Sequence, residues 1–153
     1  MKNSIKKVVY IKSKGGQVAS ASVLAQKIGP YGLSPKKIGE DFAKKTKKNW
    51  DGIIVTIKLT IIKKNAYLKI VPSVSSLLKR EMQLYGKPSV LTFKQLIKIS
   101  KKVQTKSYSK AFKGVVKEVL GTCCSMGILI DRFKAKSFLR KIENDEIAIP
   151  KSI

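Results

Sequence analysis

An α+β fold in two parts is the architecture this sequence predicts: an N-terminal β-α-α-β-β domain followed by a small three-helix domain with short strands. Three observations carry it. From Ile53 to Ile61 every second residue, Ile53, Val55, Ile57, Leu59 and Ile61, is apolar, as in a strand with one buried side. Ser34-Pro35 stands at the head of a helical pattern, as a cap and a first helical residue. Beyond Pro72 the period lengthens from two residues to three or four, and stays there. The expected boundaries are residues 1–71, 72–131 and a helical tail at 132–153.

The first element is a strand over residues 5–12, IKKVVYIK, rich in β-branched side chains and stopped by Gly15 and Gly16. A short helical pattern through Val23, Leu24 and Ile28 follows and breaks at Gly29-Pro30. With Ser34 as N-cap and Leu33 placed to meet Ile38 as a hydrophobic staple, a second helix runs to about Lys48, burying Ile38 and Phe42. In the strand over 53–62, Ile53, Val55, Ile57, Leu59 and Ile61 face inward, and Thr56, Lys58 and Thr60 outward. Lys64-Asn65 is the expected hairpin turn, and 66–71 the returning strand.

After Pro72, residues 73–85 form an amphipathic helix with Val74, Leu77, Leu78, Met82 and Tyr85 inward. Gly86-Lys87-Pro88 is a loop. Thr92 and Gln95 make a capping box, opening a helix with Phe93, Leu96, Ile97 and Val103 inward and Lys94, Lys98, Lys101 and Lys102 outward. A third helix lies within 111–131, a short strand over 128–130, and Phe138, Leu139 and Ile142 mark one more helix in the tail.

The third helix organises the rest. Phe112, Val115, Val116, Val119, Cys123 and Met126 form its core face, while Gly114, Gly121 and Ser125 lie opposite, flanked by Lys117, Glu118 and Thr122. A glycine inside a helix costs about 1 kcal/mol against alanine, so two on an outer face call for a backbone that must come close. RNA suits such a face, because its shallow minor groove presents 2′-hydroxyls and phosphates. The competing reading makes Gly121 a helix stop and TCCS a turn.

Charge narrows the function classes. The 153 residues carry 33 Lys+Arg and 9 Asp+Glu, a net charge of +24 spread over both parts, +13 up to Val71 and +11 beyond. Such a chain belongs against a polyanion. The longest apolar stretch contains Lys58 and is too short to span a bilayer, so a membrane partner is not expected. There is no histidine, and the only cysteines are the adjacent Cys123 and Cys124, which gives neither a common general base nor a metal cage. No catalytic residue, metal or cofactor is therefore expected, and Gly15-Gly16 and the GPYG segment lack a P-loop ending.

The stretches GGQVASASVLAQKIGPYGLSPKKIGEDFAKKT, GIIVTIKLTI, VPSVSSLLKRE and GTCCSMGILID, in this order, resemble the universal large-subunit ribosomal protein family numbered eleven, twelve in the older eukaryotic cytosolic naming. The resemblance covers residues 7–131. It implies a C-terminal domain that clamps large-subunit rRNA at the GTPase-associated centre, the stalk base, in the cytoplasmic large subunit. Implied rRNA contacts are Pro72, Ser73, Lys79, Arg80, Lys87, Gly121, Thr122, Ser125 and Met126. The N-terminal domain would face a cleft used by translational GTPases, with Gly29, Pro30, Gly32, Leu33, Ser34 and Pro35 on its wall. Implied partners are the rRNA, neighbouring stalk proteins and, transiently, elongation factors. Gln26 departs from the family pattern, standing where relatives commonly have a cleft proline, and the loop over 85–91 is shorter than the usual eukaryotic one. A non-ribosomal basic architectural protein that binds nucleic acid is the alternative the charge alone would allow.

Overall fold

The computed structural model describes residues 6–63, 65–86 and 89–150. The chain forms two compact units, Met1–Ser76 and Leu77–Ile153.

In the first unit, β1 (Lys7–Lys14), α1 (Ala21–Ile28), a 3₁₀ turn (Gly29–Tyr31), α2 (Pro35–Lys47), β2 (Ile54–Ile62) and β3 (Asn65–Val71) follow in order. The strands make one antiparallel sheet with β2 in the middle. Its alternation sends Ile11, Val55, Ile57, Leu59 and Ile61 into the core with Leu24, Ile28, Ile38, Phe42 and Trp50. Ser34 takes the cap position of α2, but its hydroxyl makes no cap bond. Proline at the first helical position has already removed one of the amides that would need a partner.

Two expectations shift. The first strand runs on to Lys14, where Gly15 donates to the Ile53 carbonyl (2.8 Å) and carries the pairing into the turn. The hairpin turn falls one residue earlier than expected, since Asn65 already pairs with Ile62 and Lys63 takes a left-handed φ of 47°. Lys64, the other half of the expected turn, lies outside the described residues.

The helix α3 (Val74–Leu84) begins in the first unit and supplies the opening helix of the second. There β4 (Val90–Leu91), α4 (Phe93–Val103), α5 (Phe112–Ser125), β5 (Leu129–Ile130), β6 (Phe133–Lys134) and α6 (Ala135–Glu143) complete the chain. The three two-residue strands form one small sheet, β5 parallel to β4 and antiparallel to β6. The capping box is present: Gln95 N–H donates to Thr92 Oγ1 and Thr92 N–H to Gln95 Oε1. Asp131 Oδ2 adds a third acceptor, taking the Phe93 amide at 3.1 Å. The tail helix packs on α5, and Phe138 reaches Phe93 with ring centroids 5.6 Å apart.

Leu77, Leu78 and Met82 are buried as the period demands, but Tyr85 is exposed because α3 stops at Leu84. The same face of α3 also buries Glu81. Its Oε1 lies 3.4 Å from Lys98 Nζ and 3.8 Å from Lys102 Nζ, fastening α3 to α4.

The turn between β5 and β6 puts Asp131 (φ 46°) and Arg132 (φ 74°) in the left-handed region, where a side chain is strained. Arg132→Gly is expected to raise stability by about 0.5–1 kcal/mol, read as a higher Tm in thermal unfolding. An unchanged or lowered Tm would show that the turn is not strained.

Candidate nucleic-acid interface

The second unit is built around α5, which packs on α4 and on α6. Phe112, Val115, Val116, Val119, Leu120 and Cys123 are buried. Leu120 is an addition to the face read from the sequence, and Met126 is only half-buried because it caps the helix end rather than continuing the stripe. The helix passes through Gly121 and ends after Ser125, so Gly121 is no helix stop. Gly127, at φ 68°, makes the reversal instead.

The two glycines on the outer side have different causes. A Cβ at Gly114 would collide with the Ser109 side chain, whose hydroxyl donates to the Ala111 carbonyl at 2.9 Å. This glycine serves the fold. A Cβ at Gly121 would meet nothing within 4 Å among the described residues, so no contact among them requires a glycine there. Thr122 is half-buried and Ser125 exposed beside it. Both hydroxyls donate to their own helix, Thr122 Oγ1 to the Glu118 carbonyl (3.3 Å) and Ser125 Oγ to the Thr122 carbonyl (2.8 Å). Each therefore offers an approaching strand an acceptor, and a ribose 2′-hydroxyl is the matching donor.

The charged flank of the face is already engaged. Lys117 Nζ lies 3.4 Å from Glu143 Oε1, and Glu118 accepts from Ser107 Oγ at 2.7 Å. Lys113 bonds Asp145, and that hydrogen bond with the ammonium holds the Asp145 carboxyl below its ordinary range. Among the remaining expected contacts, Lys79 is exposed on α3 and Arg80 half-buried beside it. Pro72 and Ser73 belong to the first unit, where Ser73 Oγ accepts from the Ser76 amide (3.2 Å) and starts α3. Lys87 lies outside the described residues. One helix face thus gathers Gly121, Thr122 and Ser125, with Met126 at its end.

In the first unit, Gly29, Pro30, Gly32, Leu33, Ser34 and Pro35 make one corner, the 3₁₀ turn leading into α2 through Gly32 at φ 67°. Beside it is an open groove of about 390 Å³, bordered by Leu33, Ser34, Lys37, Ile38 and Asp41 and, at the start of β3, by Asn65, Ala66 and Tyr67. Gln26 is exposed on α1, just before this corner.

Glu81 is the residue that sequence reasoning missed. It stands one helical turn after Leu77 and beside Met82, on the apolar stripe, and that position was the available signal. Its consequence is that Lys98 and Lys102, exposed as expected, are partly neutralised.

The two cysteines differ sharply. Burial pushes the Cys123 thiol up to about 12, with the neighbouring Cys124 adding to the shift, while Cys124 is exposed. One thiol per chain is expected to react promptly with an aromatic disulfide reagent near pH 8, and Cys124→Ser should abolish that phase. Equal reaction rates for both thiols would contradict this placement.

Among the described residues no group of three His, Cys, Asp or Glu is placed to hold a metal, and no helix is long and apolar enough to cross a membrane. An open helix face on a strongly basic two-unit chain defines a protein that binds a polyanion. Two family models match in the order of those units: "Ribosomal protein L11, N-terminal domain" over residues 9–67 and "Ribosomal protein L11, RNA binding domain" over 70–130. The chain belongs to the ribosomal protein L11 family, and it is a structural constituent of the ribosome rather than an enzyme. It is 42% identical to large ribosomal subunit protein uL11 of Caenorhabditis elegans over 94% of this chain and 93% of that one. It is 40% identical to uL11x of Arabidopsis thaliana (93% and 92%) and 39% to uL11A of Schizosaccharomyces pombe (94% and 93%).

Proposed function

We propose that this chain binds large-subunit rRNA at the GTPase-associated centre, the stalk base of the cytoplasmic large subunit, and supports translational GTPases during elongation. The observation that carries the reading is the empty space over Gly121, beside two hydroxyls that can accept from 2′-hydroxyls. In this reading Gly121, Thr122, Ser125 and Met126 lie against the RNA minor groove. Pro72, Ser73, Lys79, Arg80 and Lys87 contact the same RNA fold, the cations neutralising phosphates. The corner from Gly29 to Pro35 forms the wall of the cleft in which elongation factors act, next to neighbouring stalk proteins. The chain contributes position and charge there, and no chemistry of its own.

Incubation with large subunits stripped of their own copy tests this. One copy per subunit is expected to co-sediment at moderate salt and to restore factor-dependent GTP hydrolysis. Association that is non-stoichiometric and lost at moderate salt would instead indicate a free-standing architectural protein that binds nucleic acid through charge alone.

A further inference from the structure

The helices of the first unit cover one face of its sheet and leave the other open. Inward residues such as Ile11, Ile57 and Leu59 are fully buried, so the strand register fixes what the open face displays. Three cross-strand rows lie on it: Lys12, Thr56, Val71; then Tyr10, Lys58, Lys69; then Val8, Thr60, Tyr67. No carboxylate occurs in any of them. Tyr10 is 52% and Tyr67 60% exposed, and neither ring is needed to fill the core. Lys58 Nζ lies 5.9 Å from the centre of the Tyr10 ring, which sets a cation beside an aromatic face.

We propose that this open sheet face is a second RNA site, which takes an unpaired strand by stacking two bases on Tyr10 and Tyr67 and holding its phosphates with Lys12, Lys58 and Lys69. The two tyrosines are two strands and two residues apart, about 12 Å on the diagonal by sheet spacings. Stacked bases rise only about 3.4 Å per step, so the rings suit a splayed strand rather than a continuous stack. A duplex is a poor fit, since its bases are already stacked and its deep groove is closed to a sheet. An acidic protein segment needs only the lysines, and an amphipathic one needs an unbroken apolar strip. Lys58, Thr60 and Lys69 interrupt any strip between the two rings. Charge without carboxylates, together with separated exposed rings, matches a strand of flat bases on a charged backbone.

The test uses the full chain and a fluorescent oligouridylate of about 12 nucleotides, with anisotropy read at about 300 mM salt to suppress binding by charge alone. Replacing both tyrosines, Tyr10→Ala with Tyr67→Ala, is expected to weaken binding at least about 25-fold. The pair Tyr10→Phe with Tyr67→Phe should retain affinity, since phenylalanine keeps the stacking surface. The doubly substituted chain should keep native affinity for a folded large-subunit rRNA fragment, which separates failure here from failure of the stalk-base reading. The proposal is overturned if the native chain does not bind the oligonucleotide. It is equally overturned if the doubly substituted chain, folded by circular dichroism, binds within about twofold of native. Polyglutamate binding as tightly as the RNA, independent of both tyrosines, would assign the face to an acidic protein.

Discussion

Gly121→Leu is expected to make the protein slightly more stable and a markedly poorer ligand for folded large-subunit rRNA. Among the described residues nothing lies within 4 Å of the position a Cβ would take, so the side chain starts into open space. Leaving glycine in a helix interior gains roughly 0.5–1 kcal/mol. The same side chain stands between the helix backbone and any strand laid along it, and a loss of at least tenfold in affinity, about 1.4 kcal/mol, is expected. Gly114→Ala should behave in the opposite way. Its Cβ meets Ser109, so overpacking costs about 1–3 kcal/mol despite the better helix propensity. Thermal unfolding and titration against a folded rRNA fragment read both quantities. Native affinity in the Gly121→Leu chain would remove the helix face from the interface.

Affinity for that fragment should fall steeply with salt. If Lys79, Arg80 and Lys87 each neutralise one phosphate, the slope of log affinity on log salt is about −2.7 by the duplex coefficient. At constant magnesium this is a loss of about 40-fold between 50 and 200 mM monovalent salt, and more if further lysines take part. Lys79→Ala should then reduce the slope by about one unit as well as the affinity. A slope near zero would mean that the +24 charge is not directed at phosphates.

Part of this is legible in the sequence, and the reason differs by residue. Ile53, Val55, Ile57, Leu59 and Ile61 hold every second position, and a one-residue slip would expose all of them, so the central strand is legible. Thr92 and Gln95 were readable because a capping box is local. The position of the hairpin turn is not legible to the residue, because Lys63, Lys64 and Asn65 offer no glycine and register decides. Periodicity alone points Tyr85 inward because it does not say where a helix stops. Glu81 escaped notice because a carboxylate on an apolar stripe makes sense only once Lys98 and Lys102 arrive from another helix.

The candidate site shows the same division. Gly114 and Gly121 are equivalent in sequence, both on the outer side of one helix. Ser109, brought in by the preceding loop, accounts for the first and leaves the second unexplained within the chain. The hydroxyls of Thr122 and Ser125 were legible as polar groups, but their conversion into acceptors depends on bonds to the carbonyls of Glu118 and Thr122. The tyrosines of the open sheet face were out of reach, because Tyr10 and Tyr67 become neighbours only through a shared partner strand.

The proposed function rests on RNA lying along the bare side of α5. A cryo-electron microscopy structure of the large subunit carrying this chain tests it most directly. The expected result is an rRNA minor groove in van der Waals contact with the Gly121 backbone, and ribose hydroxyls bonded to Thr122 or Ser125. The same side of α5 turned to open solvent, with rRNA held elsewhere on the chain, would contradict it.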